Sequence, residues 1–308
     1  MSLTNKRAEY DEMSVEEAVR EFLTDCRLRR RSGETIAFYE RRLTRFLAPW
    51  WEKPLAALTR DGIRSALTEY VERYSPATAN GYIRCIKALL NWARREDYDA
   101  VDPHFLQKVK EPQRIMPHIS EPEEIEALLA QPDAATLLGL RDRALLLVML
   151  DTGIRLSEVV GLDVDDVRQD HLVVRGKGDK ERRVALSDIA QKEMGRYVRA
   201  RRRAGASHPC LFPSRQGSRI HRRTVGQLIA RYAEAAGLGG LRISPHALRR
   251  TFATHFVRNG GDIVRLQMAL GHTSIAMARH YAQVVDADAF EQVRQYSPVA
   301  ALSHRAAA

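Results

Sequence analysis

The 308-residue sequence has few cysteines, no long hydrophobic run and no apolar N-terminal segment. Its three cysteines, Cys26, Cys85 and Cys210, form no CxxC pair and are odd in number, which argues against a disulfide framework and favours a reducing cytosol. The longest apolar run, residues 144–150, is far shorter than the ~20 residues that span a bilayer. The polar N-terminus lacks the apolar region of a secretion signal. We therefore expect a cytoplasmic protein without a membrane segment.

Motifs for nucleotide and metal chemistry are missing as well. The sequence has no GxxxxGK[ST] loop, no cluster of carboxylates suited to Mg²⁺ and no close HxxxH pair for zinc. Histidines gather towards the C-terminal end, at His246, His255, His272 and His280, but we expect His255 and His280 to be packing or surface residues rather than zinc ligands. The sequence thus predicts no metal site.

Basic residues outnumber acidic ones, with 49 Lys and Arg against 39 Asp and Glu, a net charge of +10 and a pI near 9.7. Such an excess favours a polyanionic partner. Arginine is the main cation, and its planar guanidinium suits bidentate phosphate contacts. A solvated basic surface remains the alternative explanation for charge alone.

The first part of the chain predicts an all-helical unit over residues 14–100, after a flexible N-terminus at 1–13. Ser14 followed three residues later by Glu17 is typical of a capping box that opens a helix. Basic residues lie on the polar helix faces and together could line a groove for a nucleic-acid backbone: Arg27, Arg29, Arg30, Arg31, Arg41, Arg42, Arg45, Arg84 and Lys87. For any single one of them, a solvated helix face is the simpler explanation.

Prolines at 103, 112, 117 and 122 interrupt the periodicity and predict an interdomain linker over residues 101–120. Residues 121–289 then predict a second, mainly helical domain. Two short β patterns, residues 172–175 and 182–186, flank a glycine-rich turn and predict an antiparallel hairpin. Residues 290–308 form a C-terminal segment.

The stretch from Ser244 to Tyr281 concentrates residues suited to a phosphodiester. His246 and Arg249 are three apart on a predicted helix, so their Cβ atoms share one face at roughly 5–6 Å. His272 follows a glycine turn. Nine steps of straight helix would place Tyr281 about 13 Å from it. A shared site therefore requires a break in the chain between the two residues.

These residue types permit phosphoryl transfer without a metal. A tyrosine phenol has a pKa near 10 and attacks only when it is deprotonated or held close to its target. Fixed arginines stabilise the charge that builds on the nonbridging oxygens. A lysine in the hairpin turn can protonate the leaving alkoxide. Lys177 enters that turn, and Lys180 competes with it for this role.

Four motifs then resemble, in order, the motif series of the tyrosine recombinases, the phage integrase and Xer-like family. They are TGIRLSEVVGL, VRGKGDKERRVAL, SPHALRRTFATHF and LGHTSIAMARHYAQV, and they cover nearly all of the second domain. The first unit, with SPATANGYIRCIKALLNWA, resembles the core-binding (SAM-like) domain of that family. Departures are small: Arg250 stands where many members have a second histidine, and Tyr281 precedes AQV rather than THV or AHV.

The resemblance implies roles for six residues. Arg155 and Arg249 would hold the scissile phosphate, with Glu158 as a supporting acidic residue. Lys177 would be the general acid for the departing 5′-hydroxyl.

The remaining roles fall on two histidines and one tyrosine. His246 would assist proton transfer from the tyrosine, and His272 would hydrogen-bond the phosphate. Tyr281 would be the nucleophile that forms a 3′-phosphotyrosyl link.

The family resemblance implies a site-specific DNA recombinase that is mainly α with a small antiparallel β-sheet and closes as a C-shaped clamp on double-stranded DNA. Transesterification conserves the phosphoester bond energy, so no cofactor is expected. The resemblance also implies a homotetramer on two DNA sites, with residues 290–308 exchanged between protomers, and leaves room for an accessory recombinase or a DNA-bending protein. Because no arm-binding domain precedes residue 14, we expect a simple Xer-like or transposon enzyme.

Two alternatives stay open. A type IB topoisomerase-like enzyme would use similar chemistry to relax supercoils, but the helical core-binding unit and the lack of large extra regions argue against it. A non-catalytic DNA-binding protein of the same fold would lack one of the catalytic residue types, and all six are present.

Overall fold

The computed structural model describes residues 13–112, 118–176 and 181–271. The chain divides into two compact units, Met1–Arg114 and Ile115–Ala308. Each unit encloses its own hydrophobic core. No helix in the described ranges is long and apolar enough to cross a membrane.

The described part of the first unit is built from four α-helices: α1 (Val15–Leu28), α2 (Gly33–Leu47), α3 (Arg60–Arg73) and α4 (Pro76–Arg95). Short 3₁₀ turns occur at Ala48–Trp50, Leu55–Ala57 and Pro103–Phe105. A hydroxyl side chain immediately precedes each α-helix and accepts a hydrogen bond from a first-turn amide: Ser14, Ser32, Thr59 and Ser75.

The predicted capping box is confirmed. Glu17 Oε2 accepts a hydrogen bond from the Ser14 backbone amide at 2.9 Å, and Ser14 Oγ accepts one from the Glu17 amide at 3.2 Å. The reciprocal bonds satisfy two amides that a helix start would otherwise leave unpaired.

The core of the first unit centres on α4, whose apolar residues recur with the helical period. Ile86, Leu89 and Leu90 are no more than 1% exposed. Trp92 meets Phe22 of α1 edge to face, with ring centroids 5.8 Å apart. Since α1, α2 and α3 all contact α4, this helix holds the unit together.

The chain that follows α4 lies against this unit as far as residue 111. Leu106 is 4% exposed and belongs to the core. Asn80 of α4 binds both backbone polar groups of Val109. Its Nδ2 donates to the carbonyl at 2.9 Å, and its Oδ1 accepts from the amide at 2.8 Å. Asn80 Nδ2 also donates to Glu111 Oε1 at 2.7 Å. The first half of the proline-rich stretch is therefore bound to α4.

At the start of the second unit the chain is bound equally firmly. Ile119 is fully buried, and its amide donates to Thr251 Oγ1 at 2.9 Å. The Ile119 carbonyl lies 3.1 Å from His255 Nε2. This contact gives His255 a packing role, one of the two roles that the sequence predicted for it.

The described part of the second unit contains seven α-helices and one hairpin. The helices are α5 (Pro122–Ala130), α6 (Leu137–Thr152), α7 (Leu156–Gly161), α8 (Asp188–Arg203), α9 (Arg222–Ala235), α10 (Pro245–Arg258) and α11 (Ile263–Leu270). Short 3₁₀ turns occur at Val164–Asp166 and Gly239–Leu241. Helix α6 carries the apolar run 144–150 and packs against both α8 and α10, which explains why it is buried over most of its surface.

The predicted hairpin is confirmed. Strands β1 (His171–Arg175) and β2 (Glu181–Ala185) pair antiparallel, with His171 opposite Ala185 and Arg175 opposite Glu181. Its turn, residues 177–180, lies outside the described residues. Alternation along β2 buries Val184, and Arg182 therefore points to the same side.

Candidate active site

Three of the six residues predicted for the site are described: Arg155, His246 and Arg249. The other three, Lys177, His272 and Tyr281, lie outside the described residues. Arg155 immediately precedes α7, His246 and Arg249 lie in the first two turns of α10, and the C-terminal ends of α6 and α11 meet at Arg249.

Arg249 joins two of these termini. It lies on α10, is 5% exposed, and donates from Nη1 to the Gly153 carbonyl at 2.6 Å and from Nη2 to the Leu270 carbonyl at 2.8 Å. Gly153 ends α6 and Leu270 is the last residue of α11. The buried guanidinium thus satisfies helix-end carbonyls and is held in one place.

Gly153 cannot be replaced without strain. Its φ is +60°, a left-handed conformation that side chains disfavour. A Cβ atom at this position would lie 2.4 Å from Phe252 Cδ1 and 2.9 Å from Leu270 Cδ2. The turn at residues 152–155 (TGIR) therefore needs glycine at position 153 for two independent reasons. The close packing around Gly153 also fixes the start of α7.

Arg155 stands immediately before α7 and is aimed by three hydrogen bonds. Its backbone amide donates to Glu158 Oε2 at 2.7 Å, and its Nη1 donates to Glu158 Oε1 at 3.2 Å. Its Nη2 donates to the Gly271 carbonyl at 3.0 Å. The side chain nevertheless remains 39% exposed. The guanidinium is thus oriented by the protein and still accessible to a ligand.

Glu158 is buried between two arginines. Its side chain is 4% exposed, and Arg182 of β2 donates to both carboxylate oxygens, Nη1 to Oε1 and Nη2 to Oε2, each at 2.9 Å. Burial by itself would raise the pKa of Glu158. The hydrogen bonds from Arg182 and the Arg155 amide, together with both positive charges, hold that pKa below its ordinary value.

Gly271 brings the last turn of α11 against the same cluster. It is left-handed, with φ of +61°, and a Cβ atom there would lie 3.3 Å from the guanidinium carbon of Arg182. Its carbonyl accepts the hydrogen bond from Arg155. The turn that precedes His272 in sequence is therefore fixed by both arginines.

His246 lies in the first turn of α10, and its side chain opens to solvent. Desolvation by the surrounding protein lowers the pKa of its imidazole, and the positive charges of Arg250, Arg249 and Arg155 lower it further. The imidazole is consequently neutral at neutral pH and can accept a proton. Because the charges of Arg155 and Arg249 both lower this pKa, the three side chains lie close enough to interact electrostatically.

The cluster has the chemistry of an anion site. Two arginines converge from positions 94 residues apart, one buried and one half-open, beside a neutral imidazole. Among the described residues no group of His, Cys, Asp or Glu could hold a metal ion. A phosphate group is the ligand that this geometry fits.

The comparisons with known proteins assign the family. A model described as "Phage integrase family" matches residues 119–288, and one described as "Phage integrase, N-terminal SAM-like domain" matches residues 19–97. The tyrosine recombinase XerD of Yersinia pestis is 38% identical over 240 residues, which covers 76% of this chain and 79% of the relative. The chain belongs to the phage integrase family of tyrosine recombinases.

Further relatives agree with this assignment. XerD of Neisseria meningitidis serogroup A is 33% identical over 263 residues, covering 84% of this chain and 90% of the relative. Among solved structures, XerA recombinase is 28% identical with a TM-score of 0.52, covering 92% of this chain and 98% of that one. XerH bound to difH DNA, in a post-cleavage complex, has a TM-score of 0.70 at 22% identity, with 86% and 79% covered.

These likenesses confirm the predicted fold class, a mainly helical protein with a small antiparallel sheet, and the predicted activity. The chain is a site-specific recombinase, an enzyme that cleaves and rejoins DNA. The two alternatives, a type IB topoisomerase-like enzyme that relaxes supercoils and a non-catalytic DNA-binding protein of the same fold, are not favoured.

One residue that contacts the candidate site is missing from the sequence-based prediction. Arg182 makes the bidentate contact with Glu158, although the sequence suggested no role for it. The available signal was its position on β2, two residues before buried Val184, because a charge on the inward face of a strand needs a buried partner.

Proposed function

We propose that this recombinase exchanges strands between two duplex DNA sites through a 3′-phosphotyrosyl intermediate on Tyr281. The observation that carries the proposal is the convergence of Arg155 and Arg249 on the Gly153 and Gly271 turns, beside His246. The turn at Gly271 is followed at once by His272, and Tyr281 is nine residues further on. The family assignment and the DNA-bound structural neighbours support DNA as the substrate.

In the proposed reaction the Tyr281 oxygen attacks the phosphorus, and the bond to the 5′-oxygen breaks. Arg155 and Arg249 bind the nonbridging oxygens and stabilise the charge that develops there. Arg249 is fixed by two carbonyls, so it needs no reorganisation when that charge appears.

Proton transfers complete the balance. Neutral His246 accepts the tyrosine proton, which its lowered pKa permits. Lys177 donates a proton to the departing 5′-oxygen, and His272 donates a hydrogen bond to the phosphate. Religation to the partner strand runs the same steps in reverse.

Strand exchange requires several active sites to act together. We propose a homotetramer on two DNA sites, with residues 290–308 packing into a neighbouring protomer, and an accessory recombinase or DNA-bending protein as a further partner. We propose that the recombinase acts on chromosomal or mobile DNA in the cytoplasm. Titration of the DNA complex by analytical ultracentrifugation tests the tetramer, which predicts four protomers for two duplexes.

Trapping of the covalent complex tests the nucleophile. Genomic fragments that the protein retains are converted to suicide substrates, in which a nick beside the scissile phosphate lets a short fragment diffuse away and prevents religation. The wild-type protein is expected to accumulate an adduct that resists denaturant. Tyr281→Phe is expected to bind the same DNA and form no adduct.

Tyr232→Phe, which removes the hydroxyl that donates to Asp142 on the described helix α9, serves as the matched control and should form the adduct at the wild-type level. An adduct that persists in Tyr281→Phe would place the nucleophile elsewhere. Relaxation of a supercoiled plasmid by wild type, without any joint product between two sites, would favour the topoisomerase-like alternative.

A further inference from the structure

Glu158 carries one negative charge, and two arginines compete for it. Arg182 makes two bonds of equal length to the carboxylate, each 2.9 Å, in the bidentate geometry that is strongest between these groups. Arg155 makes one side-chain bond of 3.2 Å to a single oxygen. The carboxylate is therefore bound mainly by Arg182.

The two arginines also differ in exposure. The Arg182 side chain is 20% exposed, whereas that of Arg155 is 39% exposed. Arg182 lies under the Gly271 turn, and a phosphate reaches the more open Arg155 more readily. Of the pair, the arginine with the stronger carboxylate bonds is the one further from solvent.

We infer that Arg182 is a positioning residue whose function is to occupy the Glu158 carboxylate, so that the guanidinium of Arg155 and its remaining N–H groups stay available for the scissile phosphate. The inference deepens the proposed function and rests on the role given there to Arg155. Arg182 itself does not touch the reacting atoms in this scheme.

The consequence of losing Arg182 follows from the burial of Glu158. A carboxylate with 4% exposure cannot be left without a cation at low cost, and Arg155 is already within 3.2 Å of it. Arg155 would then form the bidentate pair in place of Arg182. Its guanidinium would be neutralised and turned towards Glu158, and phosphate binding in the transition state would weaken.

This argument makes an unusual prediction for a double variant. Arg182→Gln alone is expected to slow single-turnover cleavage of a suicide substrate by about 100-fold, the usual cost of losing one transition-state donor. Arg182→Gln combined with Glu158→Gln removes the competing charge, and the double variant is expected to cleave at least about tenfold faster than Arg182→Gln. Equilibrium DNA binding, measured separately, should change far less than the cleavage rate.

A structural role for Arg182 predicts the opposite order, because a second substitution in the same buried cluster would leave the rate as low or lower. A double variant no faster than Arg182→Gln would overturn the inference. Arg182→Lys, which keeps the charge but not the bidentate geometry, should fall between wild type and Arg182→Gln. If Arg182→Gln does not fold, Arg182→Lys with and without Glu158→Gln gives the same comparison.

Two controls separate the inference from the function on which it rests. Arg183→Gln makes the same charge change at the next, exposed position of β2 and should cleave at the wild-type rate. Arg155→Ala should be inactive. Activity in Arg155→Ala would refute the proposed role of Arg155 itself, whereas an inactive Arg155→Ala with no recovery in the double variant would refute only the role of Arg182.

Discussion

At the scale of single residues, the surroundings of His246 lower the pKa of its imidazole. Desolvation by the protein is the largest cause, and the positive charges of Arg250, Arg249 and Arg155 lower the pKa further. An ordinary histidine with a pKa of about 6.5 would be partly protonated just below neutral pH. Because its pKa is lower, His246 stays neutral, and able to accept a proton, at a lower pH than an ordinary histidine.

The pH dependence of cleavage should reveal this shift. If His246 accepts the tyrosine proton, the rate falls as the pH drops through its pKa, so the acid limb should have its midpoint below 6.5. Arg250→Gln removes a positive charge beside the imidazole, which raises the pKa and should move the midpoint upward. Single-turnover cleavage measured from pH 5 to 8 checks both.

Arg265→Gln is the control, since it makes the same charge change on α11 at an exposed position that does not act on His246. A midpoint at or above 6.5 in the wild-type protein would rule out His246 as the proton acceptor. An unchanged midpoint in Arg250→Gln would mean that Arg250 does not contribute, and would leave the shift to desolvation and the other two arginines.

At the scale of elements, Asn80 decides where the chain leaves the first unit. A side-chain amide has the same donor and acceptor groups as a backbone amide, so Asn80 binds Val109 as a neighbouring strand would. The third bond, to Glu111, extends the hold to residue 111. The connection between the units is thereby shortened from the 20 residues of the proline-rich stretch to those beyond Glu111.

Asn80→Ala should release this segment without unfolding the unit, because the core around α4 stays intact. The segment contains Lys108 and Lys110, which trypsin can cut only in a locally released chain. We expect cleavage at these two lysines to accelerate by at least about tenfold, because three hydrogen bonds worth roughly 0.5–1.5 kcal/mol each are lost. Fragment masses from a digestion time course provide the measurement.

Asn259→Ala makes the same change at an exposed position just after α10, in the second unit, and as the matched control it should be digested like the wild-type protein. Equal rates in Asn80→Ala and wild type would mean that burial of Leu106, rather than Asn80, holds the segment.

At the scale of the whole molecule, the net charge of +10 favours DNA, but its distribution determines which charges contribute. On α4, Arg94 already pairs with Asp102, and Arg95 pairs with Asp25 and Glu96. Within the described residues Arg84 and Lys87, on the same helix, have no acidic partner, and the Arg84 guanidinium lies 4.7 Å from the Phe38 ring centre. These two cations are available to phosphates.

Binding should therefore weaken steeply with salt. For each neutralised phosphate, the logarithm of the association constant falls by about 0.9 per tenfold rise in salt concentration, because binding releases counterions. Replacing Arg84 and Lys87 with glutamine should lower the slope by about 1.8 if each contacts one phosphate. Fluorescence anisotropy with a duplex at several salt concentrations gives the slopes.

Replacing Arg94 and Arg95 with glutamine makes the same charge change where the cations are already paired, and should alter the slope much less. A salt-independent affinity in the wild-type protein would contradict electrostatic DNA binding altogether. Equal loss of slope in both double variants would mean that only net charge matters.

The secondary-structure elements of this protein and its family can both be predicted from local sequence patterns. Helix starts at Ser14, Thr59 and Ser75, the left-handed end of α6 at Gly153 and the hairpin are local features, each decided within a few residues. The ordered motifs also predicted that Arg155, Arg249 and His246 belong to one site.

Only the tertiary structure decided how these residues are held. Arg182 reaches Glu158 across 24 residues, Asn80 reaches Val109 across 29, and Arg249 reaches Gly153 across 96. A polar group that is removed from water must be hydrogen-bonded, and the packing of the chain determines which partner lies close to it. Local sequence patterns do not reveal that partner, because its position depends on the path of the intervening chain.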